Sequence, residues 1–297
     1  ERGKTVGVIG ETGSGKSATA KSILGLIYNE GGHIESGTIT YKRENGDDVE
    51  LSALKSNSEE LRMIRGNEIA MIFQEPMTSL NPVFTVGQQI VEAIRFHKKI
   101  TKKDARDIAI DMLDKVNIAN PTSRFDAYPH ELSGGMRQRA VIAMGLSCSP
   151  NLLIADEPTT ALDVTVEAQI LDLILQIQDD TNMSIILITH NMGVLGETAD
   201  SVVVMYAGQV MEVLDIKTLF TDPAHPYTQS LLNAIPKIGS GKELVPIGGE
   251  IPNVFNLPTG CPFSPRCDKV KDICKTKKPP KHSFGNDHIT YCWLYED

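Results

Sequence analysis

No apolar run in this sequence approaches the roughly 18 residues that a membrane-spanning helix needs, although hydrophobic residues make up 41% of its 297. No N-terminal stretch shows the basic, apolar and small-residue succession of a signal peptide. These absences predict an intracellular chain that meets a membrane only through a partner. Positive charge is in deficit: 29 Lys and Arg stand against 38 Asp and Glu, a formal net charge of −9. Gripping a phosphate backbone takes clustered Lys and Arg, so a nucleic-acid clamp is excluded. No internal repeat is visible, so any motif found is present once. Cysteine is missing from the first 260 residues except for Cys148, which reads as a small buried apolar residue. The length suits one large domain with an appendage.

What is present begins at Gly10-Glu11-Thr12-Gly13-Ser14-Gly15-Lys16-Ser17, which fits G-x-x-x-x-G-K-[ST] at every position. The apolar run 5–9 before it reads as a buried strand, and residues 17–27 after it read as a helix. A strand, a glycine loop and a helix start are the context in which this pattern cradles phosphate. Glycines let backbone N–H groups turn towards an anion, and the helix N-terminus adds partial positive charge. Lys16 is then expected at the terminal phosphates and the Ser17 hydroxyl on Mg²⁺.

Three later segments follow: Leu132-Ser133-Gly134-Gly135-Met136-Arg137-Gln138-Arg139, Leu152-Leu153-Ile154-Ala155-Asp156-Glu157-Pro158, and Ile185-Ile186-Leu187-Ile188-Thr189-His190. With the phosphate loop, and in that order and spacing, they resemble the ATP-binding cassette (ABC) ATPases over roughly residues 1–235. The apolar run ending at Asp156 reads as a parallel strand buried on both faces. It sets Asp156 to hold Mg²⁺ and Glu157 to act as general base on the attacking water. A lone strand-end histidine is usually a satisfied structural residue; at this spacing the resemblance implies that His190 contacts the γ-phosphate. It further implies that Gln74, at the end of the run 69–73, contacts Mg²⁺ and water and senses the membrane partner. Asp163 then reaches towards the opposing subunit, and Ser133, Gly134 and Gly135 serve a nucleotide held by that subunit. With each motif present once, the chain is expected to be half of a dimer.

The implied fold is α/β: a P-loop NTPase with a RecA-like parallel-sheet core, a helical signature subdomain and a small metal-stapled C-terminal extension. Residues 1–235 form the nucleotide-binding domain and 236–297 the extension. Within the first, 37–41 reads as a hairpin strand, 47–58 as a polar loop and 85–150 as mostly helical. Helical periodicity covers 85–96 and 101–116, and Thr101-x-x-Asp104 reads as a capping box. Residues 206–209 read as a turn between strands, and 225–235 as a helix with Pro in its first turn. ABC domains carry strands, and an adenine-stacking aromatic residue, upstream of the loop. Glu1 lies nine residues before Gly10, so those parts are expected to lie outside this sequence.

Two further stretches narrow the resemblance to the ATPases of bacterial dipeptide and oligopeptide permeases. They are Gln74-Glu75-Pro76-Met77-Thr78-Ser79-Leu80-Asn81-Pro82 and His225-Pro226-Tyr227-Thr228-Gln229-Ser230-Leu231-Leu232, the latter followed by the extension motif from Pro258 to Cys267. The implied activity is ATP hydrolysis that drives peptide import. The implied partners are a second, identical or related ATPase, two membrane permease subunits and, indirectly, an extracytoplasmic peptide-binding protein. The implied place is the cytoplasmic face of the membrane. An importer for nickel or another small solute, or an ABC ATPase unconnected with transport, are the alternatives. Four cysteines crowd the last 37 residues: Cys261, Cys267, Cys274 and Cys292. They lack the tight C-x₂₋₄-C knuckles usual for zinc, and four spaced thiolates suit a 4Fe–4S cluster, which some members of the resembling family carry here. Zinc stands second and free thiols third. His282 and His288, between the last two cysteines, could replace a ligand but read first as solvated surface residues.

Overall fold

The computed structural model describes the chain except for residues 44, 75–78, 160–162, 235–246, 251, 253–255 and 297. Ten strands run through the described residues: β1 (Thr5–Ile9), β2 (Thr40–Tyr41), β3 (Val49–Glu50), β4 (Ile69–Ile72), β5 (Leu152–Asp156), β6 (Ser184–Ile188), β7 (Ser201–Tyr206), β8 (Gln209–Asp215), β9 (Lys281–Gly285) and β10 (His288–Tyr291). The chain divides into two compact units, Glu1–Lys4 with Ala18–Ile186, and Thr5–Ser17 with Leu187–Asp297.

In the first unit β4 and β5 pair in parallel, from Ile69 opposite Leu152 to Ile72 opposite Ala155. Both strands are buried along nearly their whole length, as their unbroken aliphatic runs require. The stretch between them is helical as expected, with helices Val86–His97, Lys102–Lys115, Pro121–Phe125 and Gly134–Leu146. The first buries Val86, Ile90, Val91 and Ile94, one face of a 3.6-residue period. Its cap carries the reciprocal box: Thr85 Oγ1 accepts from Gln88 N–H and the Gln88 side chain accepts from Thr85 N–H. The box expected at Thr101 is only half made. Thr101 Oγ1 accepts from Asp104 N–H, but the Asp104 carboxylate takes the Thr101 hydroxyl at 2.7 Å instead of reaching back to the backbone.

Two further expectations in this unit need correction. The strand expected over 37–41 is paired only at Thr40–Tyr41. Ile39 N–H donates to the Ser52 hydroxyl in place of a backbone carbonyl, while its own carbonyl accepts from Leu51 N–H. The presumed loop 47–58 holds β3 and a 3₁₀ turn at Leu51–Ala53, anchored by buried Val49 and Leu51.

In the second unit β1 and β7 pair in parallel, β7 and β8 antiparallel, and β10 lies antiparallel between β8 and β9. Ala207 and Gly208 form the two-residue turn between β7 and β8, with φ of 47° and 79°, the positive angles that such hairpin turns use. The backbone N–H of Thr189 donates to the Val8 carbonyl, which sets the end of β6 beside β1. The C-terminal segment, which shows little periodicity in sequence, thus contributes two strands. His288 is not a solvated surface residue: it is buried, and its Nε2–H donates to Glu212 Oε1 at 2.8 Å. Glu212 is fully buried on β8 and also accepts from the N–H groups of Ala224 and His225.

Candidate functional site

The glycine loop follows β1 in the second unit. Gly10, Gly13 and Gly15 all have positive φ (152°, 80° and 95°). A Cβ on Gly10 would collide with the Met205 carbonyl oxygen, so the loop passes that close to β7 only because the position is glycine. Ser14 N–H donates to the Glu11 carbonyl at 3.1 Å, and Gly208 N–H to the Ser14 carbonyl at 3.0 Å. Lys16 is buried, with its Nζ donating to the Gly10 and Glu11 carbonyls at 2.8 and 3.2 Å and lying 3.4 Å from Ser14 Oγ. Lys16 opens the helix Lys16–Ile23, which is shorter than the expected 17–27. His190, in the same unit, is exposed just beyond the end of β6. Asn191 fixes the turn that follows it, accepting from Gly193 and Val194 N–H groups as cap of the helix Met192–Thr198.

In the first unit the β4–β5 register does the assembling. Ile72 lies opposite Ala155, so two residues further on Gln74 meets Glu157. Gln74 Nε2–H donates to Glu157 Oε2 at 3.0 Å across 83 residues of sequence. Asp156 is buried at the end of β5. Glu157 has φ 47°, the left-handed region that a residue with a Cβ enters only at a cost, and such strain gathers at active sites. Ser133 caps the helix Gly134–Leu146 through Met136 N–H and is itself exposed, while Gly134 to Arg137 in the first turn are half-buried. Buried Gln138, on that helix, donates to the Pro158 carbonyl, next to Glu157. Asp163 is exposed and caps the helix Val164–Thr181 by accepting from Val166 N–H. The rest of the segment that marks Asp163, Ala161 and Leu162, lies outside the described residues, as does the stretch from Glu75 to Thr78.

A family model described as "ABC transporter" matches residues 1–160. Another, described as "Oligopeptide/dipeptide transporter, C-terminal region", matches 211–274. The oligopeptide transport ATP-binding protein AppD of Bacillus subtilis is 49% identical over 297 residues, covering 100% of this chain and 88% of AppD. The dipeptide transport ATP-binding protein DppD of Escherichia coli is 45% identical over 293 residues, covering 98% of this chain and 87% of that protein. This chain is an ATP-binding protein of the oligopeptide and dipeptide ABC transporter family. Among solved structures, an ATP-binding cassette in a dimeric post-hydrolysis state with ADP and Pi matches the fold at TM-score 0.62 and 24% identity, covering 73% of this chain and 87% of that one.

The clustered cysteines of this ABC protein converge. Cys261, Cys267, Cys274 and Cys292 line one pocket together with His225 and Phe263. All four are free thiols, and all but Cys267 are buried. Gly260 is required there, since a Cβ would collide with the Cys274 carbonyl, to which Cys261 N–H donates at 2.8 Å. Lys271 N–H donates to Cys274 Sγ at 3.4 Å. Burial, with Cys292, Cys274 and Cys267 adding, pushes the Cys261 thiol up to about 11. Burial pushes His225 down to about 3, and its Nδ1 accepts from Tyr227 N–H, so the neutral ring carries its proton on Nε2. Among the described residues no three His, Cys, Asp or Glu side chains are grouped closely enough for a single metal ion. Cys148 is buried apart from these, near the Ala93 carbonyl.

The ABC motifs did not reveal Arg266, whose guanidinium pairs with Glu11 of the phosphate loop. Nothing local marks it; the only signal was its place beside Cys267. Glu212 was missed too, although a carboxylate amid the apolar residues of β8 is an anomaly visible in the sequence.

Proposed function

We propose that this chain is one half of the ATP-hydrolysing engine of a peptide importer. In this reading Gly10, Glu11, Thr12, Gly13, Ser14, Gly15, Lys16 and Ser17 bind the phosphates of MgATP. The Ser17 hydroxyl and the Asp156 carboxylate hold Mg²⁺, with Gln74 contacting both metal and water. Glu157 takes the proton of the attacking water, and His190 orients that water against the γ-phosphate. Ser133, Gly134, Gly135 and Asp163 act on a nucleotide held by a second ATPase subunit. The observation that carries the reading is the Gln74–Glu157 contact, which brings the proposed base and the proposed metal and water ligand together just beyond the ends of β4 and β5.

The membrane side of the reading rests on a groove of about 530 Å³ in the first unit, lined by Met71, Phe73, Ala93, His97, Val141 and Met144. Phe73, which immediately precedes Gln74, is 41% exposed. No helix among the described residues is long and apolar enough to cross a membrane. We assign the groove to a cytoplasmic segment of a permease subunit, a reading in which the chain works at the inner membrane face. Dipeptides and oligopeptides are the proposed cargo, as in the relatives' names.

The four cysteines fit a 4Fe–4S cluster better than a single ion. They converge on one pocket, a backbone N–H already points at a sulfur, and their sequence spacing lacks the tight knuckles usual for zinc. Such a cluster would be held by Cys261, Cys267, Cys274 and Cys292. It would supply a covalent cross-link within the extension; no step of ATP hydrolysis needs its electrons.

The test is Glu157→Gln in the transporter reconstituted with its membrane subunits. MgATP binding should survive while hydrolysis falls about 10²–10⁴-fold, and peptide uptake should stop with it. Turnover at the normal rate would remove Glu157 from the reaction.

A further inference from the structure

Glu11 occupies a position that the phosphate-loop pattern leaves open, yet its backbone and side chain are both tied to residues far along the chain. Its N–H donates to Tyr227 Oη at 2.9 Å. Its carboxylate takes a two-pronged pair from Arg266, Nη1 to Oε2 at 2.6 Å and Nη2 to Oε1 at 3.0 Å. The other Arg266 donors are engaged as well: Nε with the Gly248 carbonyl, Nη2 with the Ile247 carbonyl and Nη1 with Tyr206 Oη. The Arg266 side chain is 3% exposed and that of Glu11 22%. Exposed ion pairs contribute little because both side chains move freely. A guanidinium with this many fixed acceptors has one orientation, and its fork imposes that orientation on the carboxylate. The hydroxyls of Tyr206 and Tyr227 complete the clamp. Their rings pack on each other at 4.7 Å and on Phe263 at 5.4 and 5.1 Å, all three fully buried.

Glu11 in turn supplies the carbonyl that accepts from Ser14 N–H and from Lys16 Nζ. Shifting Glu11 therefore shifts the loop's own fastening and its lysine. We infer that Arg266 is a positioning residue for the phosphate loop, acting through Glu11, so that the C-terminal extension sets the loop's readiness for ATP. The inference rests on residues 10–17 being the ATP site. With the clamp in place, phosphate meets a loop already in shape; without it, binding must also order the loop. The loss then falls on affinity, and the occupied site reacts at its usual rate.

The test uses the full-length protein with MgATP as probe, and the reconstituted transporter for turnover. Arg266→Gln should raise the Kd for MgATP by about 10–100-fold, the scale of losing a residue that orients a binding group. KM for ATP should follow, with kcat at saturating MgATP little changed. Glu11→Gln should do the same, and the double variant should be no worse than either single one, as residues acting as one device require. Arg266→Lys keeps the charge without the fork and should recover only part of the affinity. Thermal unfolding is measured in parallel; if Arg266→Gln does not fold, Glu11→Gln, Arg266→Lys and their combination form the cycle. Wild-type affinity in a folded Arg266 variant, or losses that simply add, would overturn the inference. A wild-type protein that binds no MgATP would instead overturn the assignment of the loop.

Discussion

Glu157 shows how much one residue position can carry. Its strained φ and its bond to Gln74 follow from where β5 ends, and neither is visible in the string Asp-Glu-Pro. Ser133 is the counterpart. Its sequence context implies a role towards another subunit, and its structural duty within the chain is only to cap a helix while remaining exposed. That separation gives a prediction. Ser133→Arg should abolish hydrolysis by filling the place of the neighbouring nucleotide, while the Kd for MgATP at the chain's own loop stays nearly unchanged. Fluorescent-nucleotide titration beside a steady-state ATPase assay checks it, and equal loss in both assays would contradict it.

At the scale of elements, caps and register decide what the motifs can do. Asp215 closes β8 and caps the helix Ile216–Thr221, accepting from Thr218 N–H at 3.0 Å and from its hydroxyl at 2.5 Å. Those bonds, the hydroxyl first, hold its carboxyl below the usual carboxylate range. The folded state thus keeps the charged form longer than the unfolded chain does. The associated stability is present at neutral pH, above the unfolded value, and is lost as pH falls through the lowered folded value. Asp215→Ala should cost about 1 kcal/mol at pH 7 and progressively less as the pH falls below the usual carboxylate range, measured by urea unfolding. A constant difference across pH would contradict the assignment. Helices 85–96 and 101–116 were legible because Thr85 and Thr101 announce them and their apolar residues recur at helical spacing. The phosphate loop and the run before Asp156 were legible because each is a local pattern. Strand β3 and the pair β9–β10 were not, since they are short and polar; β10 gains its stability from distant partners such as Glu212. The Arg266–Glu11 pair was invisible for the same reason: its members lie 255 residues apart.

For the whole molecule, the cysteine pocket and the single set of motifs make separate claims. Anaerobically purified protein should be brown and carry about four irons per chain. Serine at Cys261, Cys267, Cys274 or Cys292 should bleach it, and serine at Cys148 should not. One zinc and no iron would replace the cluster with a different staple, and a metal-free, ordered extension would refute both. The central claim is that this chain is half of an ATPase whose site is completed by another subunit. It is tested most directly by ATPase activity per mole of chain, measured across protein concentration alongside the oligomeric state. A half-site predicts little activity when dilute and monomeric, rising more steeply than linearly with concentration or on addition of the partner ATPase. Specific activity that is constant in a proven monomer would contradict it.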